Sequence, residues 1–327
     1  MTRMSYLEAG KQGLTEAMVA DPNVWAVGED LGRGGVFGQY RGLVERFGPE
    51  RIVDAPISEA GIMGAAVGAA LCGTRPVVEM RFSDFALCAI DELVNQAAKA
   101  RFMFGGQARV PLVAREPIGM WRSSAAQHSQ SLEAWYVHIP GLVVVTPATP
   151  ADNRALLRAA IASDDPVVYM EHKDLWAYED EVPDQPEAEP LGKAVLRRQG
   201  DAVTIVSWSK QLHVCLEAAQ MLAGRGIEVE VIDLRSLWPW DRAAVFDSVA
   251  RTRRLLVVQE SVTVAGFGAE VAASVAERLW DRLQAPVRRL GSPRAPIAYA
   301  PPLEDRLRVA AGDVAAAVEE LVSGKGT

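Results

Sequence analysis

Cysteine is scarce in this sequence of 327 residues, which contains only three. Cys72, Cys88 and Cys215 are widely spaced and stand in apolar surroundings, without the CxxC or Cys/His spacing of a metal site. These features exclude a framework of disulfides. They predict a reduced protein that works in the cytoplasm.

Long apolar runs and an excess of basic residues are also missing. No stretch approaches the roughly 18 uninterrupted apolar residues of a membrane span, and residues 1–10 lack the apolar core of a signal peptide. The net charge is −8, so neither nucleic acid nor an anionic membrane is expected as a partner. A hydrophobic content of 49% and a charged content of 23% are instead typical of a soluble globular protein.

Short apolar runs alternate with helical patterns along most of the chain. Residues 24–29 and 52–54 are typical of buried strands, and residues 90–102 and 150–162 of helices. This alternation predicts an α/β fold of two domains, each a mostly parallel sheet flanked by helices. Residues 178–192 are acidic, rich in proline and aperiodic, which is typical of a linker between domains 1–177 and 193–327.

The stretch 52–73 has an unusual composition. A short apolar run breaks at Pro56, and a helix is expected to restart with Ser58 at its N-cap and Glu59 in its first turn. Glycines at positions 61, 64 and 68 leave one face of that helix almost bare. Because each glycine costs a helix roughly 1 kcal/mol relative to alanine, the bare face indicates close approach of another backbone or of a cofactor. Glu59 itself is open to two interpretations, a simple complement of the helix dipole or a catalytic carboxyl.

Glycine-rich segments at 32–38 and 266–268 do not complete a nucleotide-binding motif. The first is not followed by Gly-Lys-Ser/Thr and does not match GxGxxG, and the second has Val271 where that fingerprint needs glycine or alanine. A flexible loop at a subunit contact is the expected role of the first segment. No dinucleotide site is expected at the second.

Four segments together resemble the beta subunit of thiamine-diphosphate-dependent 2-oxo acid dehydrogenases. This is the decarboxylating component of the pyruvate, branched-chain and acetoin dehydrogenase complexes. The segments are residues 56–61, 75–79, 125–130 and 140–147. The resemblance extends in order from about Tyr6 to about Leu321. It implies a transketolase-like pyrimidine-binding domain at 1–177 and a transketolase C-terminal-like domain at 193–327, the latter for dimerisation and docking.

The resemblance assigns roles to three residues of the first domain. Glu59 matches the glutamate that activates thiamine diphosphate by exchanging a proton with a nitrogen of its aminopyrimidine ring, which requires a carboxyl of raised pKa. Phe85 matches the aromatic ring that stacks on the aminopyrimidine, and Ile57 also matches a cofactor-contacting position. Without the family match, Phe85 would be interpreted as an ordinary core residue.

The polar string 125–131 is expected to act on the substrate. His128 has no hydrophobic period around it, and an imidazole can exchange protons near neutral pH with a bound 2-oxo acid or a lipoyl group. Gln127 adjoins it, and a loop-bracing role for His128 stays open. Trp121 and Arg122 replace small residues that are usual in the family, so Arg122 could meet an anionic group of the substrate. Drift in a surface loop would explain them equally well.

A diphosphate-binding motif is missing. The family's Gly-Asp-Gly followed by Asn does not occur in this sequence. The resemblance therefore implies that an alpha subunit holds the diphosphate and Mg²⁺, and that two alpha and two beta chains form a heterotetramer. It also suggests a K⁺ site from Ala160, Ile161 and Asp165, although Ser163 replaces an acidic residue common in the family.

The expected activity is decarboxylation of a 2-oxo acid and transfer of the acyl unit to a lipoyl-bearing acyltransferase, with Glu59 and His128 as catalytic residues. Two alternatives stay open at this point. One is a transketolase-like transfer of a two-carbon unit to an acyl carrier protein, suggested by the altered residues 120–124. The other is a non-catalytic scaffold subunit.

Overall fold

The computed structural model describes residues 1–184 and 189–324. It divides into two compact units, the first comprising Met1–Ile118 and Trp135–Leu191 and the second Gly119–Ala134 and Gly192–Thr327. The segment 119–134 therefore belongs with the C-terminal part of the chain, although it lies within the first half of the sequence. Among the described residues, no helix combines the length and apolarity that crossing a bilayer requires.

A parallel sheet forms the centre of the first unit. Its strands lie in the spatial order β6-β7-β5-β4-β2-β3, and every neighbouring pair is parallel. A separate antiparallel pair joins β1 to β8. The strands are β1 (Thr2–Ser5), β2 (Val24–Gly28), β3 (Ile52–Asp54), β4 (Arg75–Glu79), β5 (Val113–Arg115), β6 (Val143–Val145), β7 (Val167–Tyr169) and β8 (Glu179–Val182).

Helices connect these strands. They are α1 (Tyr6–Ala20), α2 (Leu43–Phe47), α3 (Glu59–Leu71), α4 (Ser83–Ala86), a π-helical turn (Glu92–Ala97), α5 (Ala98–Met103), α6 (Glu133–Val137) and α7 (Pro150–Ala162). Short 3₁₀ turns lie at Leu31–Arg33, Leu87–Ala89 and Lys173–Leu175. Helix α1 begins with the capping box that Ser5 and Glu8 predict, and α7 begins with Thr149 as N-cap and Pro150 in its first turn.

Helices α1 and α7 pack closely because glycine removes a side chain at their contact. A Cβ added at Gly13 would lie 2.6 Å from the backbone oxygen of Arg154. Around this contact Leu14, Leu156 and Leu157 are fully buried in the core of the unit. The small residue in α1 therefore fixes the distance between the helix pair.

The second unit contains another α/β sheet. Its strands lie in the order β14-β13-β10-β11-β9, parallel throughout except for β9 against β11. The strands are β9 (Val195–Arg198), β10 (Thr204–Ser207), β11 (Glu230–Asp233), β12 (Ser236–Trp238), β13 (Leu255–Val262) and β14 (Arg288–Ser292). The helices are α8 (Lys210–Ala223), α9 (Arg242–Thr252), α10 (Phe267–Leu279), α11 (Pro301–Glu304), a 3₁₀ turn (Asp305–Leu307) and α12 (Ala311–Ser323). The predicted two-domain α/β fold with mostly parallel sheets is confirmed.

Two stretches differ from the sequence-based prediction. Residues Glu179–Val182 of the expected linker form strand β8, because their backbone pairs with β1 and Arg3 lies 3.1 Å from the carboxylate of Glu179. Residues 185–188 of that linker lie outside the described residues. The segment 90–102, expected as one helix, contains the π-helical turn Glu92–Ala97.

A buried guanidinium ties together the carboxyl ends of the first sheet. Arg115, at the end of β5, lies 2.5 Å from a carboxylate oxygen of Glu171 and 3.3 Å from one of Glu79, at the end of β4. Tyr40 donates to Glu79 over 2.9 Å, and Asn153 donates to Glu171 over 2.8 Å. Burial raises the pKa of Glu79, and the charge of Arg115 opposes that rise. Two buried carboxyl groups therefore depend on one cation.

Replacing Arg115 by Met should lower the free energy of unfolding by about 3–5 kcal/mol, because it leaves both carboxyl groups without their cation. Urea denaturation of the two proteins measures the loss. The matched control is Arg109→Met, whose side chain is 65% exposed where it pairs with Asp164, and which should cost less than about 1 kcal/mol. Equal losses from the two substitutions would contradict this assignment.

Candidate functional site

Glu59 is the first residue of helix α3, as the sequence predicts. Its side chain is half-buried. Ser58 occupies the expected N-cap position, but its side chain makes no capping hydrogen bond. Its backbone has φ −169° and ψ 71°. The prediction is therefore correct that Ser58 is the N-cap residue, but its hydroxyl does not cap the helix. A Cβ at Gly61 would lie 2.7 Å from the Ser58 hydroxyl oxygen, so glycine leaves that hydroxyl its place.

A second carboxyl group that the sequence did not single out accompanies Glu59. Glu29 directly follows strand β2 and is 8% exposed. Burial raises its pKa, and the charge of Glu59 raises it further, while Arg81 at 3.6 Å opposes the rise. An acid at the carboxyl end of a buried strand was the available signal, because functional groups collect at that edge of a parallel sheet.

The glycine-bearing face of α3 is open within this chain. Gly61 and Gly68 are exposed, and no atom lies within 4 Å of a Cβ added at Gly68. Ile57, just before the helix, is 74% exposed. Within the chain, only side chains approach the glycines, Ser58 at Gly61 and Glu92 at Gly64, where a Cβ would lie 3.5 Å from the Glu92 Cγ. The face is available to a molecule outside it.

Phe85 ends a row of aromatic rings in the first unit. Its ring centroid lies 5.6 Å from that of Phe82, which lies 5.8 Å from Phe37. The Nζ of Lys173 lies 4.5 Å from the Phe82 centroid. Phe85 is half-buried, unlike a core phenylalanine, so part of its surface is accessible to solvent.

The expected substrate residues lie together on one loop of the second unit, residues 119–131, called the site loop below. The backbone N–H of Gly119 donates to the carbonyl of Gln130 over 3.4 Å and closes the loop at its base. Arg122 and Gln127 are exposed, whereas Trp121 and His128 are half-buried. The guanidinium carbon of Arg122 lies 5.1 Å from the centroid of the Trp121 ring, a cation–π distance.

The proposed K⁺ ligands are engaged by other groups. The Ile161 carbonyl accepts from Arg75 over 3.0 Å, and Asp165 accepts from Arg101 over 2.6 Å. The Ala160 carbonyl accepts the backbone N–H of Ser163. As placed, these acceptors already receive guanidinium and amide donors. The end of α7 already has the positive charge that its dipole favours.

Clusters of at least three His, Cys, Asp or Glu side chains placed to hold a metal do not occur between residues 1–184 or 189–324. No divalent-ion site made of such side chains is therefore present among these described residues.

Glu116 is a further functional candidate that the sequence did not reveal. It directly follows β5, is fully buried, and burial raises its pKa to about 8. The hydroxyls of Tyr136 and Ser83 partly oppose that rise, although neither oxygen of the carboxyl group makes a hydrogen bond of good geometry. Its backbone neighbour Pro117 accepts the N–H of Ser83 over 2.9 Å. A neutral carboxylic acid therefore lies beneath α4, the helix that carries Phe85.

Glu116 makes stability depend on pH in a defined direction. Its folded pKa of about 8 lies above the unfolded value of about 4.3. The unfolded chain therefore loses this proton first, and stability falls as the pH rises from about 4.5 to about 8. Glu116→Gln, which is neutral at every pH, should be progressively more stable than the parent over that window. Urea midpoints at pH 5, 6.5 and 8 measure the difference, with the exposed Glu45→Gln as control, and a constant difference would contradict the assignment.

Two family models match the chain. The pyrimidine-binding domain of transketolase matches residues 2–177, and the C-terminal domain of transketolase matches residues 192–314. Among solved structures, a split-gene transketolase in an inactive beta4 tetramer covers 98% of both chains with a TM-score of 0.80 at 24% identity. A Pichia stipitis transketolase variant has a TM-score of 0.71 at 16% identity and matches 99% of this chain over 46% of its own. These structures share the fold.

Curated relatives are much more similar in sequence. The beta subunit of acetoin:2,6-dichlorophenolindophenol oxidoreductase from Bacillus subtilis is 42% identical over 93% of this chain and 92% of its own. The pyruvate dehydrogenase E1 component subunit beta-2 of rice is 45% identical over 92% of this chain and 81% of its own. The 2-oxoisovalerate dehydrogenase subunit beta of B. subtilis is 39% identical over 98% and 99%. The chain therefore belongs to the family of transketolase-like beta subunits of thiamine-diphosphate-dependent 2-oxo acid dehydrogenases.

Proposed function

We propose that this chain contributes the pyrimidine side of a thiamine diphosphate site and works only together with an alpha subunit that grips the diphosphate. The observation that carries the proposal is the position of Glu59. Its half-buried carboxyl group begins a helix whose glycine face is open, with Glu29 close enough to interact electrostatically. The acetoin- and pyruvate-metabolising relatives support the same role.

The first unit offers residues that fit the cofactor's aminopyrimidine ring. Phe85 is half-buried, so its ring is partly accessible for stacking, and Ile57, which is exposed just before α3, has the proposed role of an apolar contact. Glu59 holds and returns a proton at a ring nitrogen, and its charge raises the pKa of the neighbouring Glu29. When bound, thiamine diphosphate supplies the nucleophilic carbon and the electron sink for decarboxylation.

The alpha partner and Mg²⁺ follow from what this chain offers. Its sequence has no Gly-Asp-Gly…Asn motif for the diphosphate, and the open face of α3 is a surface that a partner backbone can approach closely. We therefore propose a heterotetramer of two alpha and two beta chains, with Mg²⁺ held by alpha. We also propose the cytoplasm as its location, because the exposed thiols of Cys72 and Cys88 suit a reducing compartment.

On the substrate side, we propose that His128 exchanges protons with the 2-oxo acid or the incoming lipoyl group of an acyltransferase. Gln127 and Arg122 are exposed on the same loop, and Arg122 is proposed to meet an anionic group of the substrate. The transketolase-like and scaffold alternatives are not favoured by relatives named as dehydrogenase subunits. The acetoin and pyruvate relatives leave both substrates as candidates within the class.

Glu59→Gln should reduce turnover of the reconstituted alpha–beta enzyme by about 10²–10⁴-fold, because an amide cannot exchange the proton. The assay uses pyruvate and acetoin with a lipoyl domain, and also a ketose phosphate with an acyl carrier protein. Glu45→Gln, on the exposed face of α2, is the control and should retain full activity. Unchanged turnover in Glu59→Gln would contradict the proposal, and so would tight binding of thiamine diphosphate to the beta chain alone.

We further propose that the chain needs no K⁺, because Arg75 and Arg101 already occupy the acceptors at the end of α7. Exchanging K⁺ for tetramethylammonium at constant ionic strength should leave the melting temperature unchanged. Any ion that binds the folded state alone would raise that temperature with its concentration. A saturable rise that is specific to K⁺ would contradict the proposal.

A further inference from the structure

Hydrogen bonds within the site loop join residues that are close in sequence. The Ser124 N–H and hydroxyl both donate to the Trp121 carbonyl, over 3.0 and 2.6 Å, and the His128 N–H donates to the Ala125 carbonyl over 3.4 Å. The base of the loop is closed by the bond from Gly119 to Gln130 at 3.4 Å. Contacts with other parts of the second unit add to these bonds.

Three residues of the loop adopt backbone conformations that disfavour side chains. Arg122, Ser123 and Ala125 have φ of 45°, 57° and 62°. This left-handed region is normal for glycine but strained for residues with a Cβ. Without compensation, the loop would relax away from this shape. Hydrogen bonds from other residues are therefore expected to stabilise this conformation.

One buried carboxylate contacts both ends of the loop. Glu260, in strand β13, is 7% exposed. Its Oε1 accepts the backbone N–H of Met120 over 2.8 Å, and the Ser131 hydroxyl donates to the same oxygen over 3.4 Å. Hydrogen bonds to an ionised carboxylate are stronger than those between neutral groups. Glu260 thus fastens the point where the chain enters the loop and the point where it leaves.

A second carboxylate holds the strained turn itself. Glu304, at the end of α11, is 4% exposed, and its Oε2 accepts the backbone N–H of Ser123 over 3.1 Å. Its other oxygen accepts from Arg308 over 3.2 Å, which fixes the orientation of the carboxyl group. The bond acts directly on the residue between Arg122 and Ser124.

We infer that Glu260 and Glu304 are positioning residues, which hold the site loop in its strained shape and so set the orientation of Trp121, Arg122 and His128. The C-terminal α/β unit thereby acts on specificity through two backbone hydrogen bonds. The catalytic relevance of this inference rests on the proposed function of His128. The inference that Glu260 and Glu304 hold the loop in shape does not depend on that role.

Trypsin tests the clamp without any activity assay, because Arg122 is exposed on the loop. Cleavage of the full chain after Arg122, followed by mass spectrometry, should become at least fivefold faster in Glu260→Ala and in Glu304→Ala. Glu260→Gln retains an acceptor oxygen and should stay within twofold of the parent. The control variant is Glu319→Ala, which breaks a surface pair with Arg225. Its cleavage rate should also stay within twofold of the parent chain measured alongside. Unchanged cleavage in both alanine variants would overturn the inference.

Kinetics of the reconstituted enzyme tests the effect on specificity. Glu304→Ala should raise the KM for the 2-oxo acid at least threefold while the affinity for thiamine diphosphate is retained, and Glu260→Gln should restore parental values where Glu260→Ala does not. A fall in kcat with unchanged KM in both alanine variants would show a merely structural role and overturn the positioning role. Melting temperatures identify any variant that fails to fold, and Glu304, on a short helix near the surface, supplies the second test. If His128→Gln retains full turnover while the cleavage results hold, the proposed catalytic role of His128 is wrong. The inference that Glu260 and Glu304 hold the site loop would still stand.

Discussion

The buried charge of Arg115 is the constraint on which the first unit depends. The guanidinium of Arg115 contacts both Glu79, at the end of β4, and Glu171, two residues after β7. It therefore fixes the ends of β4, β5 and β7 relative to one another at one edge of the sheet. Glu29 and the start of α3 follow strands at this same edge, and Glu116 directly follows Arg115. Acidic groups are concentrated there. Arg115 beside Glu79 and Glu171, and Arg81 beside Glu29, limit the cost of burying them. The chemistry of the cofactor side is therefore built on an edge that is already negative.

The starts of helices were predicted well, because they depend on residues that are close together in the sequence. Helix α7 was placed to the residue because Thr149 and Pro150 define its start, and the Glu59 helix was placed because Pro56 breaks the preceding strand. The π-helical turn at Glu92–Ala97 has no such signal in its sequence. The strand β8 was missed because its acidic residues are typical of solvent, and only pairing with β1 makes them a strand.

The candidate site divides in the same way. Glu59, Phe85 and His128 were found because family motifs mark them. Glu116 was not, because its raised pKa comes from burial among residues such as Tyr136, which are distant in sequence. Glu260 lies 140 residues from Met120 and was likewise invisible. Contacts between a loop and a strand that is distant in sequence form only in the tertiary fold. The hydrophobic pattern of the sequence therefore does not predict them.

The open glycine face of α3 also bears on how much of this protein a cell can tolerate by itself. The first unit also exposes large apolar side chains, with Phe102 at 89% and Met103 at 68%. Surfaces of this kind adhere to one another when their proper counterpart is scarce. A shortage of the proposed alpha subunit would then leave unpaired copies of this chain for chaperones and proteases to remove. Matched synthesis of this chain and its proposed partner would avoid that loss.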